Sequence, residues 1–277
     1  MIQHVLGIPV QLAAPFDFSF LGRYGRPFCV FDQQPGSNIA FGMESAQYGK
    51  LLVKFAGAPT VNAAYSPEHT VSALKNAAPL YRTLRHPALV QLLGQGEVAG
   101  GYALIFRWFD GEPLSSAQAR DRLSHQPLPV KLRMLDSVFD FHLHCAVKNH
   151  ISVGFHDGSL LVNFLTGQIM ICNIDLYRPM PAFNNLGRMP GSARFLSPEE
   201  YEKGAPLDGL TMQYAMGALA FAFLARGGSH APEDWTAASA LHAVASRAVD
   251  LDRTQRYPSL GAFVAAWRHA IRHSTVY

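Results

Sequence analysis

Short, largely apolar runs separated by polar segments dominate the first part of the chain. Three of them, Pro27–Asp32, Asn38–Met43 and Lys50–Phe55, follow one another and are separated by short polar segments. Short apolar runs of this kind are typical of strands, and short connections join antiparallel neighbours. The pattern predicts an antiparallel meander, with two further strands at Ala88–Leu93 and Tyr102–Phe106.

Apolar residues recur at intervals of three and four residues in one early segment and through most of the chain after Leu128, which is typical of amphipathic helices. This periodicity predicts helices at Glu68–Leu84, Val130–His150, Thr211–Ala225, Trp235–Val249 and Ser259–His273. Proline inside a helix removes a hydrogen bond, so we expect Pro79 to kink or shorten the first of them.

Two acidic residues flank a predicted hairpin near the middle of the chain. The hairpin consists of 160–165 and 168–172, joined by a Thr-Gly turn, and Asp157 and Asp175 lie 175 − 157 = 18 residues apart on either side of it. A hairpin brings its two ends together, so both carboxylates should emerge at the same edge. With Asn163 between them, they form a candidate Mg²⁺ site, in which one acid is left to orient an attacking hydroxyl.

The composition is that of a folded chain with a sizeable core. The 277 residues are 49% hydrophobic and 16% charged, which suits one large domain or two lobes. The turn-forming segment Asp110-Gly-Glu-Pro113 leaves the predicted sheet, and we place a lobe boundary there, with lobes at 1–107 and 108–277.

Charge and cysteine content bear on location and partners. The net charge is +3 with no Lys/Arg cluster longer than a pair, which argues against nucleic acid as a partner. Cys29, Cys145 and Cys172 are too few and scattered for a disulfide framework, which indicates a reducing compartment. The longest apolar run, Tyr214–Ala225, is too short to span a bilayer. We therefore expect a cytoplasmic protein that does not bind membranes.

The order of several short motifs resembles that of protein kinases. A strand lysine, Lys54, is followed by a helix, the loop Phe155-His-Asp157, the hairpin acid Asp175 and the segment Ser197-Pro-Glu199. Over about residues 27–270 the chain resembles the eukaryotic-like Ser/Thr protein kinase family, as a divergent bacterial member. The resemblance implies an α+β, two-lobed protein-kinase-like fold, with an antiparallel β-sheet N-lobe and a mainly helical C-lobe.

The resemblance also implies ATP and Mg²⁺ as cofactors and assigns a role to each matching residue. Lys54 would hold the α- and β-phosphates, and Asp157 would orient the substrate hydroxyl and accept its proton. Asp175 would bind Mg²⁺, with Asn163 as a second metal ligand. Glu199 would form a buried ion pair with Arg256.

The nucleotide would contact two further segments. The turn 33–37 offers the backbone N–H groups of Gly36 and Ser37 to a phosphate. The segment from Phe106 to Leu114 resembles the kinase hinge, whose backbone groups would bind adenine, and Phe106 and Trp108 are its candidate contacts.

The resemblance leaves three functions open. The first is an ATP-dependent Ser/Thr protein kinase acting on an unknown protein substrate. The second is a pseudokinase, a nucleotide-binding or protein-interaction module, because Ala77 replaces the expected glutamate partner of Lys54 and Ser159 replaces a catalytic lysine. The third is a small-molecule phosphotransferase, against which the Ser-Pro-Glu segment and Arg256 argue.

Overall fold

The structure, a computed structural model, describes residues 1–33 and 38–274 and confirms an α+β chain with antiparallel sheets. The chain divides into two compact units. Unit 1 contains Met1–Arg85 and Val90–Phe109, whereas unit 2 contains His86–Leu89 and the chain from Asp110 onward.

Unit 1 is built mainly of strands. Its elements are β1 (Ile2–Val5), β2 (Ile8–Gln11), β3 (Arg26–Phe31), β4 (Ile39–Ser45), β5 (Gly49–Ala56), α1 (Pro67–Thr83), β6 (Leu92–Val98) and β7 (Gly101–Arg107). Strands β3 to β7 form one antiparallel sheet in the order β3-β4-β5-β7-β6, and β1 pairs with β2. The predicted meander and the strand near Tyr102 are confirmed. The strand predicted at Ala88–Leu93 is misplaced, because β6 begins only at Leu92.

Helix α1 confirms the first predicted helix, and its start follows from its sequence. Ser66 caps it by accepting a hydrogen bond from the His69 N–H at 3.3 Å, and Pro67 occupies the first turn, where its missing N–H costs nothing. Pro79 neither ends nor shortens the helix, which continues to Thr83. The prediction for Pro79 was therefore wrong in this respect.

Aromatic side chains fill the core of unit 1 on one face of the sheet. Phe41 and Phe55, from neighbouring strands β4 and β5, are fully buried. Phe18 and Phe20 cover them from the segment before β3, with ring centroids 5.3 Å (Phe18–Phe41) and 5.0 Å (Phe20–Phe55) apart. The alternation of apolar residues along β4 and β5 thus selects which face is buried.

Unit 2 is mainly helical and contains several short strands. Its elements are β8 (Glu112–Pro113), α2 (Ala117–Ser124), α3 (Leu128–Val147), β9 (His150–Ile151), β10 (Leu160–Asn163), β11 (Gln168–Ile171), β12 (Arg178–Pro179), β13 (Ala182–Phe183), β14 (Pro206–Leu207), α4 (Gly209–Leu224), α5 (Ser239–Ala248) and α6 (Leu260–His273). The four helices predicted after Leu128 are confirmed, with ends that shift by a few residues. Within the described residues, no helix is long and apolar enough to cross a membrane.

The core of unit 2 forms where its long helices meet. Trp267 of α6 packs against Phe139 of α3 with ring centroids 5.5 Å apart, and both are fully buried. Helix α4 is apolar around most of its circumference and is buried along most of its length, as the long apolar run predicts. These helices support the acid hairpin, because α3 packs against β11.

Candidate functional site

The predicted acid hairpin is present in unit 2. Strands β10 and β11 pair in register from Leu160 opposite Ile171 to Asn163 opposite Gln168. Asp157 precedes the first strand and Asp175 follows the second, so both leave the hairpin at the end away from its turn. At this open end the Cys172 N–H donates to the Ser159 carbonyl at 2.9 Å. The backbone geometry expected from the 18-residue spacing is therefore present.

Asp157 is buried and its carboxylate is already bound. It begins a 3-10 turn, Asp157–Ser159, which places its side chain against the loop that precedes Ser197. From that loop Arg194 donates to Asp157 Oδ2 at 2.6 Å, and only 8% of the Asp157 side chain is exposed. The neighbouring His156 Nδ1 lies 3.7 Å from Oδ1 and accepts the Gly158 N–H at 3.0 Å.

These contacts fix the charge state of Asp157. Burial by itself raises the pKa of its carboxyl, but His156 and the Arg194 guanidinium together lower it by more, so the net pKa lies below its ordinary value. Asp157 is thus an ionised carboxylate near neutral pH. Its charge is balanced by a cation of the chain itself.

Asn163 does not fit the predicted metal site. Its side-chain oxygen accepts the Leu165 and Thr166 N–H groups, both at 3.0 Å, and so closes the hairpin turn. Asn163 lies three residues along β10 from Leu160, or about 10 Å from the open end. Two ligands of one Mg²⁺ ion lie within about 4 Å of each other. We therefore correct the assignment of Asn163 as a metal ligand beside the acids of the open end.

Asp175 lies in the segment that leaves β11. Its backbone N–H donates to the Asn173 side-chain oxygen at 3.2 Å, so a local turn sets its direction. Asp175 remains a predicted metal ligand on the resemblance alone. Among residues 1–33 and 38–274 there is no group of three or more His, Cys, Asp or Glu side chains arranged to hold a metal ion.

The ion pair expected between Glu199 and Arg256 is confirmed. The Arg256 guanidinium donates to Glu199 Oε1 at 2.8 Å and to Oε2 at 3.1 Å, with the arginine side chain fully buried. Thr211 donates a further hydrogen bond to Oε1 at 3.0 Å. The pair joins the Ser-Pro-Glu segment to the chain before α6, 57 residues later.

The next residue, Glu200, is buried in a different state. Its carboxylate accepts hydrogen bonds from the Ser197 N–H (2.8 Å) and hydroxyl (2.9 Å), which completes a capping box. Burial raises the pKa of Glu200 to about 7, against the opposing effect of these hydrogen bonds. The pKa values of these two adjacent carboxyls thus shift in opposite directions, because only Glu199 accepts hydrogen bonds from the Arg256 guanidinium.

In unit 1, Lys54 occupies the strand position that the resemblance assigns to it. It lies in β5, opposite Ala40 of β4 and Leu104 of β7. Ala77, at the expected glutamate position of α1, is buried, and the one acidic residue of α1 is Glu68, in its first turn. Helix α1 therefore supplies no carboxylate near its middle for Lys54.

The predicted adenine contacts are also in unit 1, and their groups have partners within it. The Phe106 ring is buried against Tyr81 with centroids 4.9 Å apart. The Trp108 ring packs against Phe28 with centroids 4.8 Å apart, and the Trp108 N–H donates to the Lys50 carbonyl at 3.2 Å. The predicted phosphate-binding residues Gly36 and Ser37 lie outside the described residues.

Two residues of the site have no signal in the sequence pattern. Arg194 is one of several arginines in a loop rich in Gly and Pro, and nothing in its spacing identifies Asp157 as its partner. Asn184 is fully buried and hydrogen-bonds the loop around it, whereas its neighbour Asn185 is exposed. Only the tertiary structure distinguishes the buried Asn184 from the exposed Asn185.

Neither a protein-family model nor a curated protein matches this chain. The likeness to protein kinases therefore rests on the order of the motifs and on the ion pair that this order predicts.

Proposed function

We propose that the chain is a protein-kinase-like protein that acts by binding other proteins and does not transfer phosphate. It would have the two-lobed fold of the eukaryotic-like Ser/Thr kinases, with their phosphotransfer chemistry lost. Its partner would be another protein.

The Glu199–Arg256 pair supports the kinase-like fold. An arginine and a glutamate that are 57 residues apart meet in a buried, bidentate ion pair. Burying such charges is costly unless the geometry is good, so two charges do not meet here by chance. The order of the motifs in the kinase family predicts this pairing. The small-molecule phosphotransferases lack the corresponding Glu–Arg pair, which holds the substrate-facing loop in kinases.

The observation that carries the non-catalytic role is the ion pair between Asp157 and Arg194. A general base has to lie within hydrogen-bond reach of the proton that it accepts. In this chain the Asp157 carboxylate is nearly buried and holds a guanidinium at 2.6 Å. Arg194 thus occupies Oδ2, one of the two oxygens with which Asp157 would accept the proton of a substrate hydroxyl.

Two further differences between this chain and the kinase motifs agree with a non-catalytic role. Asn163 uses its side-chain oxygen to close the hairpin turn. Helix α1 carries Ala77 in place of the glutamate that orients the strand lysine in kinases. Because phosphoryl transfer depends on positioning several charges together, each loss lowers the rate that the others can support.

Phosphotransfer to a protein hydroxyl is the second candidate, on the observation that Asp157 is ionised and lies at the open end of the hairpin with Asp175. A base has to be ionised to act, and the lowered pKa of Asp157 meets that condition. Under this alternative, the contact of Arg194 with Asp157 inhibits transfer and can be broken. A cytoplasmic location belongs to both candidates, since all three cysteines are free thiols.

Radiolabelled phosphate transfer separates the two candidates. The full chain is incubated with γ-labelled ATP, MgCl₂ and a generic acceptor protein such as casein, alongside Arg194→Ala and Asp157→Asn. We expect no transfer above the blank from any of the three. The control variant Arg272→Ala, at the exposed end of α6, should behave as the unmodified chain does.

Transfer by the unmodified chain that disappears in Asp157→Asn would replace the binding role with the kinase role. Gain of transfer only in Arg194→Ala would identify the ion pair as an inhibitory contact.

A further inference from the structure

A loop of unit 2 is held in one conformation by a buried asparagine. Asn184 has no exposed surface, and its side-chain oxygen accepts the Leu186 and Gly187 N–H groups at 3.1 and 3.0 Å. Its amide nitrogen donates to the Gly187 and Glu199 carbonyls. Its backbone pairs with Gly204 and Ala205 at 2.7 and 2.9 Å. The loop is therefore hydrogen-bonded to the segment after Ser197 at Glu199, Gly204 and Ala205.

This rigid loop presents large apolar side chains to solvent. Leu186 is 67% exposed, Phe183 is 50% exposed and Tyr201 is 45% exposed. Arg188 lies over the Tyr201 ring, with its guanidinium carbon 5.9 Å from the centroid. We name Phe183, Leu186, Arg188 and Tyr201 the Leu186 surface. Exposed apolar groups on an ordered loop are typical of interaction sites.

The charge around the Leu186 surface is positive. Arg188 and Lys203 are exposed there, against one exposed acid, Glu202. Glu199 adds no net charge, because Arg256 neutralises it, and burial raises the pKa of Glu200 to about 7, so that its carboxyl is partly protonated near neutral pH. Arg188 uses one of its five N–H donors on the Gly191 carbonyl at 3.2 Å, which leaves donors for a carboxylate.

We propose that the Leu186 surface binds a segment of another protein in which an acidic residue neighbours an aliphatic or aromatic one. The proposal rests on the proposed binding role and names the chemistry of the partner. The apolar side chain of the partner packs on Phe183 and Leu186, and its carboxylate pairs with Arg188.

The physical basis is that this surface is ordered before it binds. Much of the cost of association comes from fixing loops and side chains, and Asn184 has already fixed this loop. Aromatic residues and arginine are also the types that contribute most at protein interfaces. The positive charge selects acidic partners and repels basic ones.

A degenerate library of 12-residue peptides, panned against the immobilised full chain, tests the proposal. Selected peptides are resynthesised with a fluorophore, and their affinity is measured by fluorescence polarisation. We expect enrichment of Asp or Glu next to Leu, Ile or Phe. Leu186→Asp and Arg188→Glu should each weaken binding by about tenfold or more.

Matched variants elsewhere in unit 2 serve as controls. Leu165→Asp changes an even more exposed leucine at the turn between β10 and β11, and Arg272→Glu reverses an exposed arginine at the end of α6. Both should bind the selected peptides within about twofold of the unmodified chain. All four changes are on the surface, and thermal unfolding verifies that each variant is folded.

Several outcomes would overturn the proposal. These are the selection of no peptide, the selection of peptides without acids, and binding that survives Leu186→Asp. Self-association of the chain that Leu186→Asp abolishes, without any selected peptide, would assign the surface to a second copy instead. Each of these leaves the proposed lack of phosphate transfer unaffected, because that is measured separately.

Discussion

At the scale of single residues, two ion pairs of unit 2 differ in how they are solvated. Glu199 and Arg256 are both buried and make two hydrogen bonds to each other. Asp157 is buried, but half of the Arg194 side chain is exposed. A buried pair that loses one partner leaves a charge in a poorly solvated place, whereas an exposed partner contributes less. The first pair therefore has a structural role, and the second determines what Asp157 can bind.

Arg256→Ala should lower the free energy of unfolding by about 3–5 kcal/mol, because Glu199 stays buried without its counter-charge. Urea denaturation followed by circular dichroism measures the change. The matched control is Arg253→Ala, since Arg253 pairs with the more exposed Asp208. We expect about 0–1 kcal/mol for the control. Equal losses for the two variants would show that the Glu199 contact has no special weight.

At the scale of elements, the loop after β13 and the hairpin β10–β11 each depend on one asparagine. Asn184 satisfies backbone groups of its loop, and Asn163 satisfies two N–H groups of the hairpin turn. Asparagine suits such positions because its side chain mimics a backbone turn. Both side chains use their amide oxygen to bind nearby backbone N–H groups. The oxygen of Asn163 is therefore bound to the hairpin turn and does not serve as a metal ligand beside the acids.

Asn184→Ala should increase hydrogen exchange at the Leu186 and Gly187 amides by at least about tenfold, because the acceptor that protects them is removed. Hydrogen–deuterium exchange with mass spectrometry of the peptide covering 183–190 measures it. The neighbouring Asn185→Ala is the control and should leave exchange unchanged, because Asn185 is exposed. Unchanged protection in Asn184→Ala would mean that other contacts order the loop.

Elements were predictable from the sequence where local pattern and tertiary environment agree. The meander β3–β5 follows from three short apolar runs with short connections, and α4 follows from its continuous apolar run. The hairpin β1–β2 was missed because Pro9 indicates a break in this part of the sequence. Pro9 is nevertheless accommodated in β2, a strand that has a single neighbour and so needs fewer N–H donors.

At the scale of the whole molecule, the order of the motifs along the chain predicted more of the candidate site than the number of residues between Asp157, Asn163 and Asp175 did. The order of motifs anticipated the Glu199–Arg256 pair across 57 residues. Spacing placed Asn163 near the acids, but the length of β10 puts it at the other end of the hairpin. The partner of Asp157 could not be predicted, because Arg194 reaches it through a loop without periodicity.

The Arg194 guanidinium holds the carboxylate of Asp157 in the unmodified chain. Carbon-13 NMR titration of the Asp157 carboxyl, in the unmodified chain and in Arg194→Ala, tests it most directly. In the unmodified chain we expect a pKa below 3.8, so Asp157 contributes stability above the unfolded-state pKa that is lost as the pH falls. In Arg194→Ala the pKa should rise, because the burial that raises it remains while the cation is gone. A pKa at or above 3.8 in the unmodified chain, or one that Arg194→Ala leaves unchanged, would contradict the claim.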